Sequence, residues 1–155
     1  MSAKRCSIVV VVLLALLAAV PAQASPPQPV MLDLHAHLTG PSTIAGDWRA
    51  TGAFSDAGTY TESFRFAGGS TTMPRTVHTE KVLVGADGTL QLRAVAVIVW
   101  LSPTLATFKA GNWRITSGTG AYRQLHAGGT PAVTADSFAD LATGVVDMEH
   151  VGRAH

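Results

Sequence analysis

Glu62 is the acid whose setting in the sequence invites chemistry. It alternates with Tyr60, Phe64 and Phe66 in a run of strand-forming residues, so the four share one face. Were that face to line an apolar interior, the carboxyl would be placed for general acid–base work or as a polar anchor for a ligand. On an outward face the same residues are a solvated acid among ordinary β formers. Arg93, which shares a strand face with Val95, Val97 and Val99, is the cation available to Glu62, as a binding group or in a structural ion pair. His78 and Glu80 share a face on the neighbouring arm. Glu62 is therefore the candidate catalytic residue. Tyr60, Glu62, Phe64, His78, Glu80 and Arg93 are the candidate ligand-binding residues.

A second constellation is Leu32-Asp33-Leu34-His35-Ala36-His37, in which alternate strand positions could aim two imidazoles at one metal. It is similar to the first-strand H-x-H of metal-dependent amidohydrolases. Those enzymes need a barrel of about 250 residues with ligands from later strands, an architecture this chain is too short to build. A smaller site completed by Asp33, His150 or His155 is set against a plain polar strand face, and no metal is expected. Nucleophilic hydrolysis has no G-x-S-x-G elbow to start from. Gly118-Thr119-Gly120 lacks the rest of a nucleotide-binding fingerprint, so no cofactor is expected. Trp48, Trp100 and Trp113 belong to a core or to a ligand cavity.

The elements that must position these residues read as strands. Leu32–Leu38 alternates apolar with polar. Ala45–Phe66 reads as a hairpin about Ser55-Asp56-Ala57-Gly58, and Thr76–Val84 with Thr89–Trp100 as a second about Ala86-Asp87-Gly88. The nearly continuous apolar run Ala94–Leu101 suits a strand covered on both sides. Thr104–Ala110 and Asn112–Thr116 are expected as separate short strands, Ala121–Leu125 as a helical turn bracing one end of a sheet, and Gly144–Val151 as a closing strand. Thr130–Ala142 is ambiguous. Sustained helical amphipathicity is missing throughout. The expectation is an all-β fold, an antiparallel, closed β-barrel of about eight strands, since closure removes exposed sheet edges.

The segment NWRITSGTGAYRQLHAGGT, Asn112–Thr130, resembles the W-x-I-x-x-G-T-G-x-Y/F-x-x-L-x-G-x-G motif of the allene oxide cyclase and dirigent-like β-barrel superfamily, including its small secreted bacterial members. His126 and Ala127 depart from the Gly-rich turn of that pattern. The resemblance implies an eight-stranded antiparallel barrel around an apolar cavity, often oligomeric in the plant branches, with no metal or organic cofactor. The catalytic residues of the plant enzymes have no counterparts to align here, so what is implied is a scaffold rather than an activity.

The chain's ends set its context. Lys4 and Arg5 precede an apolar run from Ile8 to Val20. Pro21 breaks that run and Ala22-Gln23-Ala24 offers a small-x-small site, so residues 1–24 read as a secretory signal peptide cleaved after Ala24. The run is too short for a transmembrane helix, and Cys6 is misplaced for lipidation. The mature protein is expected to be secreted, cysteine-free and without a membrane anchor. Residues 25–30, rich in proline, read as a disordered leader, and 31–155 as one barrel domain. Lys4 and Arg5 are two of the 11 basic residues, leaving nine against 10 acids and no basic stripe for nucleic acid. Three functions fit: a non-catalytic barrel that binds a small apolar molecule or serves a structural role, a cofactor-independent isomerase or cyclase using Glu62, or an extracellular interaction module, with homo-oligomers open to any of them.

Overall fold

Buried and exposed side chains alternate along every long strand of the computed structural model, which describes residues 26–68 and 74–155. The signal-peptide reading, with its cleavage after Ala24, and residues 69–73 lie outside the described residues. The strands are β1 (Gln28–Gly40), β2 (Thr43–Gly52), β3 (Asp56–Phe66), β4 (Arg75–Gly85), β5 (Thr89–Trp100), β6 (Leu105–Gly118), β7 (Ala127–Gly129), β8 (Phe138–Asp140) and β9 (Val145–Ala154), with a 3-10 turn at Gly120–Tyr122. In β1, Val30, Leu32, Leu34 and Ala36 are buried while His35 and His37 are exposed.

All neighbouring strands are antiparallel. β1 closes the wall by pairing on both sides, so that Leu34 stands between Trp48 of β2 and Met148 of β9. The short β7 and β8 share one place in the wall between β6 and β9. β7 meets β6 at Trp113 and Arg114, while β8 meets it at Leu105–Thr107. The result is all-β, a closed antiparallel barrel of eight wall positions, with nine strands among the described residues.

Several local expectations change. β1 begins at Gln28, inside the segment read as a disordered leader. Pro29 is accommodated because it stands at the strand's start and contributes its carbonyl, which accepts from Ala53 N at 2.7 Å. The β2–β3 turn falls before Asp56 rather than across it, and the Asp56 carboxylate, at the start of β3, accepts from Ala57 N and from Ala86 N and Asp87 N of the β4–β5 turn. Among the described residues no layer covers the outward side of β5: Val95, Val97 and Val99 are only half-buried.

The two expected segments 104–110 and 112–116 are one strand, β6, interrupted by a bulge. Val97 pairs with Lys109 and Ala96 with Gly111, leaving Ala110 as the extra residue. Ala110 has φ 53° and Gly111 φ 103°. A Cβ on Gly111 would lie 1.9 Å from Val95 O, so glycine is required by both its conformation and the closeness of the neighbouring strand. The bulge also shifts which side chains point inward. Ala106 and Phe108 are buried before it, Trp113 and Ile115 after it.

Candidate functional site

The antiparallel order puts the β1–β2, β5–β6 and β8–β9 connections at one end of the barrel and the 3-10 turn at the other. The two halves of the interior differ. Toward the 3-10 turn it is filled by Trp48, Tyr60, Leu83, Leu90, Leu92 and Trp113. The Trp113 indole donates to Val151 O at 3.0 Å and lies against Gly129 and Gly152, where an added Cβ would come within 2.8 Å of the ring. Thus the tryptophan and a glycine of the Asn112–Thr130 motif work together in packing. Tyr122 braces this end as expected for residues 121–125, donating to Asp56 Oδ2 at 2.5 Å.

Toward the other end the barrel is hollow. A cavity of about 280 Å3 is walled by apolar residues including Ile44, Phe64, Val77, Ile98 and Phe108, and reaches the surface at Pro41 and Leu141. Phe66 is at the same end, with the Arg75 guanidinium 4.0 Å from its ring centre.

Polar groups are gathered where the hollow half meets the filled one. Glu62 and Lys81 are paired across β3 and β4, their side chains 2% and 1% exposed, and Lys81 Nζ donates to Glu62 Oε2 at 2.5 Å. The ammonium also points at Met148 Sδ, 3.7 Å away on β9. Burial lowers the Lys81 pKa, while the Glu62 charge opposes the shift. His150, fully buried, also lines the cavity, and its ring is 5.6 Å from that of Trp113. Its Nδ1 donates to the Ala132 carbonyl, which fixes the tautomer and leaves Nε2 as an acceptor. Burial, assisted by the nearby Lys81 charge, pushes the imidazole down to about 3. Among the described residues Nε2 has no partner, and neither does the hydroxyl of Thr79, one inward position from Lys81 toward the mouth. Tyr60 lies below this layer in the filled half. Its buried hydroxyl is likewise unpaired, and burial, with Glu62 adding to it, raises its pKa.

The residues expected to bind a ligand are thereby divided. Tyr60, Glu62 and Phe64 project inward, and Glu62 and Phe64 line the cavity. His78, Glu80 and Arg93 stand on the outer wall, beside a polar depression of about 520 Å3. The expected Glu62–Arg93 partnership is replaced by two separate pairs, because inward and outward positions alternate. Arg93 reaches Glu80 at 3.0 Å in an exposed pair, and Lys81 takes Glu62. The imidazoles do not converge on a metal. His35 and His37 are exposed, with His35 bonded to Asp147, whereas His150 is inside. Among the described residues no group of three or more His, Cys, Asp or Glu side chains is arranged to hold one.

Lys81 and His150 were missed as cavity residues by sequence reasoning. The available signal was register: once Tyr60 is inward, pairing with Leu83 places Lys81 inward beside Glu62. Fold and site define an antiparallel β-barrel with an apolar internal cavity and a buried, neutralised ion pair at its floor. No protein-family model, curated protein or solved structure matches the chain.

Proposed function

We propose that this barrel binds a small, mostly apolar molecule in its interior and performs no chemistry on it. The observation that carries the reading is the division of the interior, in which bulky side chains fill one half and small ones, Ala94 and Ala96, leave the other half hollow. A protein that needed only a stable barrel would gain from filling that space, because apolar voids forfeit packing. Ligand sites are concave, mostly apolar and supplied with a few placed polar groups, and this cavity fits that description. The likeness of Asn112–Thr130 to the allene oxide cyclase and dirigent-like motif supports the same reading. So does export through residues 1–24, which would expose the barrel to extracellular small molecules.

An isomerase or cyclase using Glu62 is the second reading, favoured by the position of that carboxylate on the cavity wall. It ranks lower because Lys81 already occupies Glu62 Oε2, and a proton transferred there would leave the ammonium without its counter-charge in a buried site. The cavity also weighs against a barrel that works only through its surface.

Titration with naphthalene as a neutral fluorescent dye, small enough for the cavity, tests the binding reading. Saturable uptake of one equivalent is expected, with loss of uptake in an Ala96→Phe variant that still unfolds cooperatively. Equal dye response in the two proteins would sink the proposal.

A further inference from the structure

We infer that the ligand of the cavity is a neutral alcohol, seated with its hydroxyl at the floor and its hydrocarbon toward the mouth. The inference rests on the interior-binding reading above and specifies the chemistry of the occupant.

The floor offers an unusual set of polar groups. His150 is one of the residues that line the cavity, 0% exposed, and its Nε2 is a bare acceptor without a partner among the described residues. A buried acceptor left unpaired is costly, so the site favours an occupant that brings an O–H or N–H donor. Lys81 has three donors, of which one goes to Glu62 and one points at Met148 Sδ. The Thr79 hydroxyl can give or take a hydrogen bond. A group that both donates and accepts meets these requirements, and a hydroxyl is the smallest that does.

Charge excludes the other common amphiphiles. Glu62 and Lys81 cancel each other at 2.5 Å. A carboxylate would therefore be buried without a counter-ion and would face the lone pair of Nε2, and an ammonium would be set against Lys81. Aldehydes, ketones and ethers only accept hydrogen bonds, so they leave Nε2 unsatisfied. The apolar lining takes the remainder of the molecule. At about 30 Å3 for each water-sized group, a cavity of about 280 Å3 holds roughly nine non-hydrogen atoms, a hydroxyl on a chain or ring of about eight carbons.

Calorimetric titration of the purified chain with 1-octanol, 1-methoxyoctane, octanal and octanoate tests this directly. The alcohol is expected to bind about ten-fold tighter than each of the other three, the discrimination of one buried hydrogen bond. In a His150→Phe variant this preference should fall to about two-fold or less while the ether binds as before. Because the comparison among the four ligands is made on the unaltered protein, it decides the matter even if that variant does not fold. Equal affinity for alcohol and ether, as would follow if a bound water satisfied Nε2, or tightest binding of octanoate, overturns the alcohol and leaves interior binding standing. Failure of all four ligands and of the fluorescent dye to saturate overturns interior binding itself.

Discussion

Lys81 and Glu62 are direct cross-strand neighbours whose side chains meet inside the barrel at 2.5 Å, with Lys81 Nζ donating to Glu62 Oε2. Each charge is tolerated there because of the other. Lys81→Met should therefore strand a carboxylate in an apolar interior and cost about 3–5 kcal/mol. The double variant Glu62→Leu, Lys81→Met removes both charges and should recover most of that loss. Urea unfolding of the three proteins checks it, and a double variant no more stable than Lys81→Met would contradict the account.

His150 makes a distinct prediction about acid. Folding pushes its pKa down from the ordinary 6.5 to about 3, chiefly by burial. Between those values the unfolded chain takes up a proton that the folded chain does not, so stability is complete above about pH 6.5 and declines as the pH falls toward 3. The decline should approach about 1.4 kcal/mol per pH unit. Asp56, whose carboxyl is held below its ordinary value chiefly by the Tyr122 hydroxyl, adds loss of the same sign only at lower pH. Unfolding free energies measured from pH 7 to pH 4 should therefore lose much of their slope in His150→Phe, and an unchanged slope would count against the buried neutral imidazole.

The Tyr122–Asp56 bond fastens the filled end. Asp56 Oδ2 accepts from the tyrosine at 2.5 Å, and the carboxylate also receives Ala57 N at 2.7 Å and Ala86 N at 3.1 Å. Burial, and then the carboxylate itself, raise the Tyr122 pKa. Tyr122→Phe should cost about 1–2 kcal/mol, a charge-assisted bond discounted for its partial exposure to solvent. The Asp56 carboxyl should move back toward ordinary acidity in an NMR titration. Loss of stability without that movement would assign the effect to packing instead.

The alternation in β1 and β3 made the barrel legible, because over 32–38 and 59–66 apolar residues occupy one parity only: Leu32, Leu34, Ala36 and Leu38 in the first, and Tyr60, Phe64 and Phe66 in the second. β4 is different. Val77 and Leu83 lie inward while Val82 and Val84 lie outward and exposed, so apolar residues stand on both parities and a lysine between them reads as the solvated side. That ambiguity concealed Lys81, and with it the true partner of Glu62. His150 was hidden for a related reason. A polar residue in an alternating strand is ordinarily outward, and only closure of β9 against β1, where His150 faces Leu32, places it inside. The cavity itself depends on the summed volumes of side chains from many strands, which no single segment expresses.

The bulge in β6 shows how one residue can decide whether a wall closes correctly. Without Ala110 as an extra residue, a strand with Phe108 inward would turn Trp113 outward, since the side-chain period is two. The bulge reverses that parity, so Phe108 lines the cavity and Trp113 fills the opposite half. The two residues that form it should respond to substitution with opposite sign. Ala110 adopts φ 53°, which strains a residue with a Cβ. Ala110→Gly should therefore leave stability unchanged or raise it by up to about 1 kcal/mol, with unfolded-state entropy offsetting part of the relief. Gly111→Ala introduces both strain at φ 103° and a Cβ 1.9 Å from Val95 O. It should cost at least about 2–3 kcal/mol and separate β5 from β6 locally. Denaturant midpoints and amide hydrogen exchange at Val95 and Ala96 provide the measurement. If Gly111→Ala were as stable as the parent, with Val95 still protected, the bulge would not be the fixed point on which the inward set of side chains depends.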